Sequence, residues 1–139
     1  MIVLDANVVI ALLDEDDGSH ERARDLIDDH EWDEFCTSAV TLGEMLVRPA
    51  ERGHAERERG TVERLGVAVL PVTSSTALAA ARVRASRRVQ MPDAIILVTA
   101  RATGGQLATF DRKLRRVARS EGVVVAERHD DGGPWSSPT

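Results

Sequence analysis

The sequence predicts an α/β fold: a mostly parallel sheet covered by helices on both faces. Three observations predict it. The strand-length runs at 2–4, 67–72 and 123–126 are continuously apolar, as strands buried on both faces are. Helical stretches separate the runs, which is βαβ spacing rather than hairpin spacing. Two runs, 2–4 and 106–110, are followed at once by an acid, Asp5 and Asp111, at the strand end where open α/β sheets bind ligands.

In chain order, Ile2-Val3-Leu4 is the first strand and 8–13 a helix folded back on it, which Asp5 can cap. A polar loop, 14–18, precedes a helix capped by Ser19 and running to about Asp29, with Ala23, Leu26 and Ile27 inward and its acids, His20 and His30 on a wet surface. Residues 35–38 form a short strand leading into a nearly all-apolar helix of Val40, Leu42, Met45, Leu46 and Val47, which Pro49 should end or follow with another. Glu44 is its odd member, either on an exposed stripe or pointing into a polar pocket. Residues 51–66, rich in Glu, Arg and Gly, are a polar helical excursion.

The third strand, 67–72, leads to a helix capped by Thr73 or Ser74 that carries Arg82, Arg84, Arg87 and Arg88. Pro92 and Asp93 then open a helix whose Ile95, Ile96, Leu97 and Val98 cover most of its circumference, so it is central. There Asp93 either complements the helix dipole or is held at the floor of a cleft. Gly104-Gly105 ends it. Residues 106–110 are the fourth strand, 111–119 a basic helix with Leu114, Val117 and Ala118 buried, and 123–126 a last strand. Residues 1–127 read as one domain, and 128–139, with Gly132, Gly133, Pro134 and Pro138, as a loose C-terminal tail.

Composition narrows the function. With 139 residues, 42% hydrophobic and 29% charged, the chain has the makeup of a soluble protein with a real core. No run reaches the ~18 apolar residues of a membrane span, no basic leader precedes the first strand, and the single Cys36 excludes an internal disulfide. A cytoplasmic protein without membrane association is expected. The net charge of −5 is unevenly spread: residues 1–34 carry −10, whereas 82–119 carry +8. The basic segment is either a set of solvated helix faces or the footprint of a polyanion.

Asp5 and Asp111 should be neighbours on one sheet edge, and Asp93 and Glu44 can reach it from their helices. Four carboxylates with no base in the same motifs repel, by about 3 kcal/mol for a pair ~5 Å apart at an effective dielectric of about 20. Protons or a divalent cation must then neutralise them. The four His and one Cys show no ligand spacing for zinc, and hard oxygen donors select Mg²⁺ or Mn²⁺. Such a cation beside a basic surface suggests phosphodiester hydrolysis.

The pieces Val3-Leu4-Asp5-Ala6-Asn7, Ser38-Ala39-Val40-Thr41-Leu42-Gly43-Glu44-Met45, Pro92-Asp93-Ala94-Ile95-Ile96 and Ala108-Thr109-Phe110-Asp111 together resemble the signature of PIN-domain nucleases. In size the chain is most similar to the VapC toxins of bacterial toxin–antitoxin pairs. The resemblance implies a three-layer α/β/α sandwich and an Mg²⁺- or Mn²⁺-dependent endoribonuclease leaving a 5′-phosphate and a 3′-hydroxyl. It maps the catalytic, metal-holding quartet onto Asp5, Glu44, Asp93 and Asp111, with Asn7 and Thr109 supporting. It further implies a homodimer and a cognate VapB-like antitoxin. Arg82, Arg87, Arg88, Arg112, Lys113, Arg115 and Arg116 are the expected contacts to RNA phosphates. Two rivals remain. A haloacid-dehalogenase-type phosphotransferase needs a second Asp where Asn7 stands, and a catalytically silent PIN-fold module would bind RNA or a partner without cutting.

Overall fold

The computed structural model describes residues 1–127. Its elements are β1 (Ile2–Leu4), α1 (Ala6–Leu13), α2 (His20–Asp29), β2 (Phe35–Ser38), α3 (Ala39–Glu51), α4 (Ala55–Arg64), β3 (Val67–Leu70), α5 (Ser74–Arg87), α6 (Met91–Thr103), β4 (Gln106–Ala108) and α7 (Arg112–Ser120). The four strands are parallel, in the order β3-β2-β1-β4.

Strand pleating sends alternate side chains to opposite faces, and the two hydrophobic clusters follow that rule. Ile2 and Leu4 pack with Val8, Val9 and Ala11 of α1, Ala23 and Leu26 of α2, Met45 of α3 and Val62 of α4. Val3 faces the other way, into Ala80 and Val83 of α5, Ile95 to Val98 of α6, and Leu114 and Ala118 of α7. All three residues of β1 are fully buried, so this strand is covered on both sides as its sequence requires. The result is an α/β/α sandwich. The central role expected for α6 holds: every residue from Ala94 to Ala100 is buried.

The chain returns to the sheet through Gly104, which ends α6 in the left-handed region at φ 66°. Gly105 then passes so close to the first strand that a Cβ there would lie 2.7 Å from the Met1 carbonyl oxygen. That approach sets β4 beside β1 with Leu4 opposite Ala108.

Four local expectations are corrected. The strand expected at 123–126 is a single parallel bridge, Leu107 with Val125, because only Leu107 exchanges hydrogen bonds with that segment. The fourth strand stops at Ala108, since the Phe110 and Asp111 amides turn to the side chains of Asn7 and Thr109. Pro49 does not end α3; it stands inside the last turn without a hydrogen bond to the Met45 carbonyl, and the helix runs on to Glu51. The histidines expected on the surface are half-buried: His20 Nδ1 lies 2.7 Å from the Ala11 carbonyl, and His30 bridges Asp33 and the Glu127 carbonyl. The expected loose tail, 128–139, lies outside the described residues.

Candidate active site

The site forms where β1 and β4 end side by side. Asp5 leaves β1 as the N-cap of α1, and its Oδ1 accepts the Ala6 amide at 2.9 Å. Its capping role, the simplest reading of the sequence, uses only that oxygen. Oδ2 accepts the Thr109 hydroxyl at 2.8 Å and the Asn7 amide at 3.4 Å. Because Leu4 pairs with Ala108, the next residues, Asp5 and Thr109, meet at the sheet edge.

Thr109 Oγ1 also accepts from Asn7 Nδ2 at 3.2 Å and from the Asp111 amide at 3.2 Å, while Asn7 Oδ1 accepts the Phe110 amide at 3.1 Å. Asn7 and Thr109 thus tie the end of β1 to the turn after β4. Asp111 follows that turn and caps α7 through the Leu114 amide at 3.0 Å. Asp93 stands half-buried in the first turn of α6, and Glu44 is an exposed residue of α3.

The four acids feel one another. Burial pushes the Asp5 carboxyl above its usual range, the Thr109 and Ala6 hydrogen bonds pull it back, and Asp111 pushes it up again. Glu44, although largely exposed, is raised first by desolvation of its carboxyl, then by Asp5 and Asp93. Asp93 is raised by burial, then by Asp5 and Asp111, against a lowering by Lys113. Glu44 and Asp111, from α3 and the turn after β4, thus lie within electrostatic range of Asp5 and Asp93, at the end of β1 and the start of α6.

That space is not a closed cage. Among the described residues, no group of three or more His, Cys, Asp or Glu side chains is drawn tightly enough to hold a metal ion. Mutual repulsion and the exposure of Glu44 and Asp111 keep the carboxylates apart. The donor set itself is all oxygen, which fits Mg²⁺ or Mn²⁺ better than softer metals.

The basic residues divide into two groups. Arg87 and Arg101 share Glu121 at 2.9 and 3.2 Å, and Arg115 lies 2.9 Å from Glu127, which also pairs with Arg119. Arg82, Arg88, Arg112 and Arg116 are exposed and form no salt bridge among the described residues, while Lys113 Nζ donates to the Arg88 carbonyl at 3.1 Å. Two features escaped the sequence reading. Arg22 stacks over Phe110, 4.4 Å from the ring centre, beside the turn that carries Asp111. A groove of about 900 Å³ runs from Glu44 past Ile10, Met45, Arg48, Arg52 and Arg57. Its lining mixes Arg48, Arg52 and Arg57 with Asp14, Glu44 and Glu58, so no run of like charge in the sequence marks it.

A parallel sheet flanked by helices, with acids from separate elements gathered at its C-terminal edge, defines the class: a three-layer α/β domain built around an acidic cleft. Within that class the chain belongs to the PIN-domain family, whose model matches residues 2–120. Solved structures with the same fold include VapC20 of Mycobacterium tuberculosis, described as a sarcin–ricin loop cleaving toxin. That toxin is 24% identical, at a TM-score of 0.71, over 92% of this chain and 99% of its own. FitAcB of Neisseria gonorrhoeae is 23% identical, at a TM-score of 0.70, over 92% and 98%. A toxin–antitoxin complex from Klebsiella pneumoniae matches at 19% identity and a TM-score of 0.68, over 99% and 97%. No curated protein matches the sequence. Among the described residues, no helix is long and apolar enough to cross a membrane.

Proposed function

We propose that this PIN-domain chain is a metal-dependent endoribonuclease acting in the cytoplasm as the toxin of a toxin–antitoxin pair. The observation that supports this most is the hydrogen-bonded junction of Asp5, Asn7, Thr109 and the Asp111 amide at the ends of β1 and β4, with Glu44 and Asp93 within electrostatic range of Asp5. Asp5, Glu44 and Asp93 would hold Mg²⁺ or Mn²⁺, with Asp111 contributing to that ion or a second. When bound, the cation lowers the pKa of water and stabilises charge on the phosphoryl oxygens.

The chain's own residues have defined tasks. Thr109 and Ala6 fix both oxygens of Asp5, so this carboxylate is the rigid reference point of the site. Asn7 holds the turn after β4, and through it Asp111, in register with Asp5. Asp93 is anchored by the buried helix α6, whereas exposed Glu44 can adjust from α3. Arg82, Arg88, Arg112, Lys113 and Arg116 supply the field that draws RNA phosphates to the cleft. A VapB-like antitoxin belongs to the same reading, supported by the toxin–antitoxin complex among the fold's neighbours, and a homodimer is part of the proposal.

The test is RNA cleavage with Mg²⁺ or Mn²⁺ by the wild type and by Asp5→Asn and Asp93→Asn. Undiminished cleavage by either variant refutes the assignment. The open spacing of the acids favours one alternative, a catalytically silent PIN-fold module. Mn²⁺ should raise the melting temperature of the nuclease and leave that of a silent module unchanged.

A further inference from the structure

Arg22 lies on α2 one turn before the buried Leu26, at the edge of the side that faces the core. Its guanidinium carbon stands 4.4 Å from the centre of the Phe110 ring, within reach of a cation–π contact. Both residues are half-buried, so the Arg22 stem and the ring cover each other. The start of α2 is fixed as well. His20 Nδ1 lies 2.7 Å from the Ala11 carbonyl of α1, the helix that begins beside Asp5.

Phe110 is the middle residue of the turn that joins Thr109 to Asp111. Its neighbours carry the site: Thr109 donates to Asp5 Oδ2 at 2.8 Å, and the Asp111 carboxylate accepts the Leu114 amide at 3.0 Å. Strand alternation continues past β4, because Ala108 and Phe110 both join the cluster of Ile2 and Leu4 on the α1–α2 side. The turn is thus held twice. Asn7 takes the Phe110 amide at 3.1 Å, and Arg22 takes the ring. An aliphatic side chain on α2 would cover the ring equally well. A cation is also drawn to the ring face, and so fixes how the ring is turned.

We propose that Arg22 is a positioning residue of the ribonuclease site: stacked on Phe110, it steadies the 109–111 turn and so sets where Asp111 stands relative to Asp5. The inference rests on the ribonuclease reading and deepens it. Arg22 acts through the ring and not on RNA phosphate.

Amide hydrogen exchange of the metal-free protein in chelator, read by NMR, reports the turn without any cleavage. Arg22→Met keeps a stem and removes the charge. It is expected to speed exchange of the Asp111 and Leu114 amides about fivefold. Phe110→Leu should do the same, and the double variant should go no further than either alone, since each removes one half of one contact. Arg22→Lys keeps a cation over the ring and should restore most of the protection. With RNA and Mn²⁺, Arg22→Met should lower kcat about tenfold and leave KM within about twofold. Its binding to fluorescein-labelled single-stranded RNA should keep the wild-type salt slope, which loss of a phosphate contact would flatten by about 0.7. Arg24→Gln, an exposed base two residues along α2, should change none of these.

Wild-type exchange at Asp111 and Leu114 in Arg22→Met, or effects of Arg22→Met and Phe110→Leu that add, overturn the inference. So does a flattened salt slope, which would make Arg22 an RNA contact. Cleavage by Arg22→Met at the wild-type kcat sinks the positioning role and leaves the nuclease standing. Faster exchange in a protein that cuts no RNA with Mn²⁺ does the reverse.

Discussion

Replacing Asp93 by Asn should make the protein more stable while abolishing its activity. The side chain keeps its size, so the change is nearly pure charge removal. In its favour is relief of repulsion from Asp5 and Asp111, the two acids that raise Asp93. Two unit charges ~6 Å apart repel by about 0.7 kcal/mol in water and about 2.8 kcal/mol at an effective dielectric near 20. Asp93 is half-buried and Asp111 exposed, so screening places the sum toward the lower end, near 1.5 kcal/mol. Against it stands the loss of a first-turn acid from α6, about 0.3–1 kcal/mol, together with the attraction of Lys113.

The net gain is about 0.5–1 kcal/mol, or a rise of roughly 2–5 °C in melting temperature for a chain of this size. Differential scanning fluorimetry in chelator at pH 8 measures it. The gain must shrink as the pH falls and the wild-type Asp93, raised by burial and by Asp5 and Asp111, takes up its proton, so that the two proteins converge. With Mn²⁺ the order should reverse, since only the wild type keeps the full donor set. RNA cleavage should fall by about two orders of magnitude or more. A variant less stable than the wild type at pH 8, or a gain that persists as the pH falls, would show that Asp93 does not share the acid field, and the site would lose one of its members.

Three further outcomes follow from the same geometry. Asp5, Glu44 and Asp93 all have folded pKa values above their usual 3.8 or 4.5. The native state therefore holds more protons than the unfolded one in that window, so their contribution to stability falls as the pH rises through it. Urea midpoints of Asp5→Asn/Asp93→Asn should accordingly depend less on pH than those of the wild type as the pH rises from the usual carboxylate range, whereas Mn²⁺ affinity of the wild type should rise with pH. Thr109→Val removes the hydroxyl that donates to Asp5 and accepts from the Asp111 amide; it should cost about 1–2 kcal/mol in urea unfolding and move the acid limb of the cleavage profile to higher pH. Gly105→Ala places a Cβ 2.7 Å from the Met1 carbonyl and should cost about 1–3 kcal/mol, with activity lost in step because β4 carries Thr109 and Asp111 to Asp5; a variant as stable as the wild type would mean the two strands separate at little cost.

Much of the fold was legible because burial on both faces leaves a plain mark. Ile2-Val3-Leu4 has no polar position to offer a solvent face, and from Ala94 to Ala100 the one hydroxyl, Thr99, turns back to the Ile95 carbonyl. The end of β4 was not legible, since Thr109 and Phe110 suit a strand by propensity; the Asn7 side chain takes the Phe110 amide instead. The last strand failed similarly: Val123, Val124 and Val125 have strand composition, yet 61% exposure of Val124 shows that nothing covers its outer face. Asp5, Asp93 and Asp111 stood out by their places at the ends of strands and starts of helices, and Glu44 as the odd acid in an apolar helix. Their spacing was not, because it depends on how far Glu44 and Asp111 lean into solvent. Nor does sequence show which bases are spoken for. Arg87 meets Glu121 across 34 positions, and no local pattern marks such a pair.

The division of labour among the four acids follows from what holds each. Asp5 is 9% exposed and its oxygens have partners before any cation arrives, so its ordering entropy is spent during folding. Asp111 is partly fixed by capping α7. Asp93 and Glu44 receive no hydrogen bond to their carboxylates among the described residues, and both are raised by their neighbours. A cation entering the cleft therefore gains most from these two, whose burial and repulsion no hydrogen bond offsets and, at Asp93, only Lys113 partly relieves. That ordering carries its own prediction: the Mn²⁺-induced rise in melting temperature should fall more in Glu44→Gln than in Asp111→Asn. The opposite order would place the ion beside β4 and α7, away from α3.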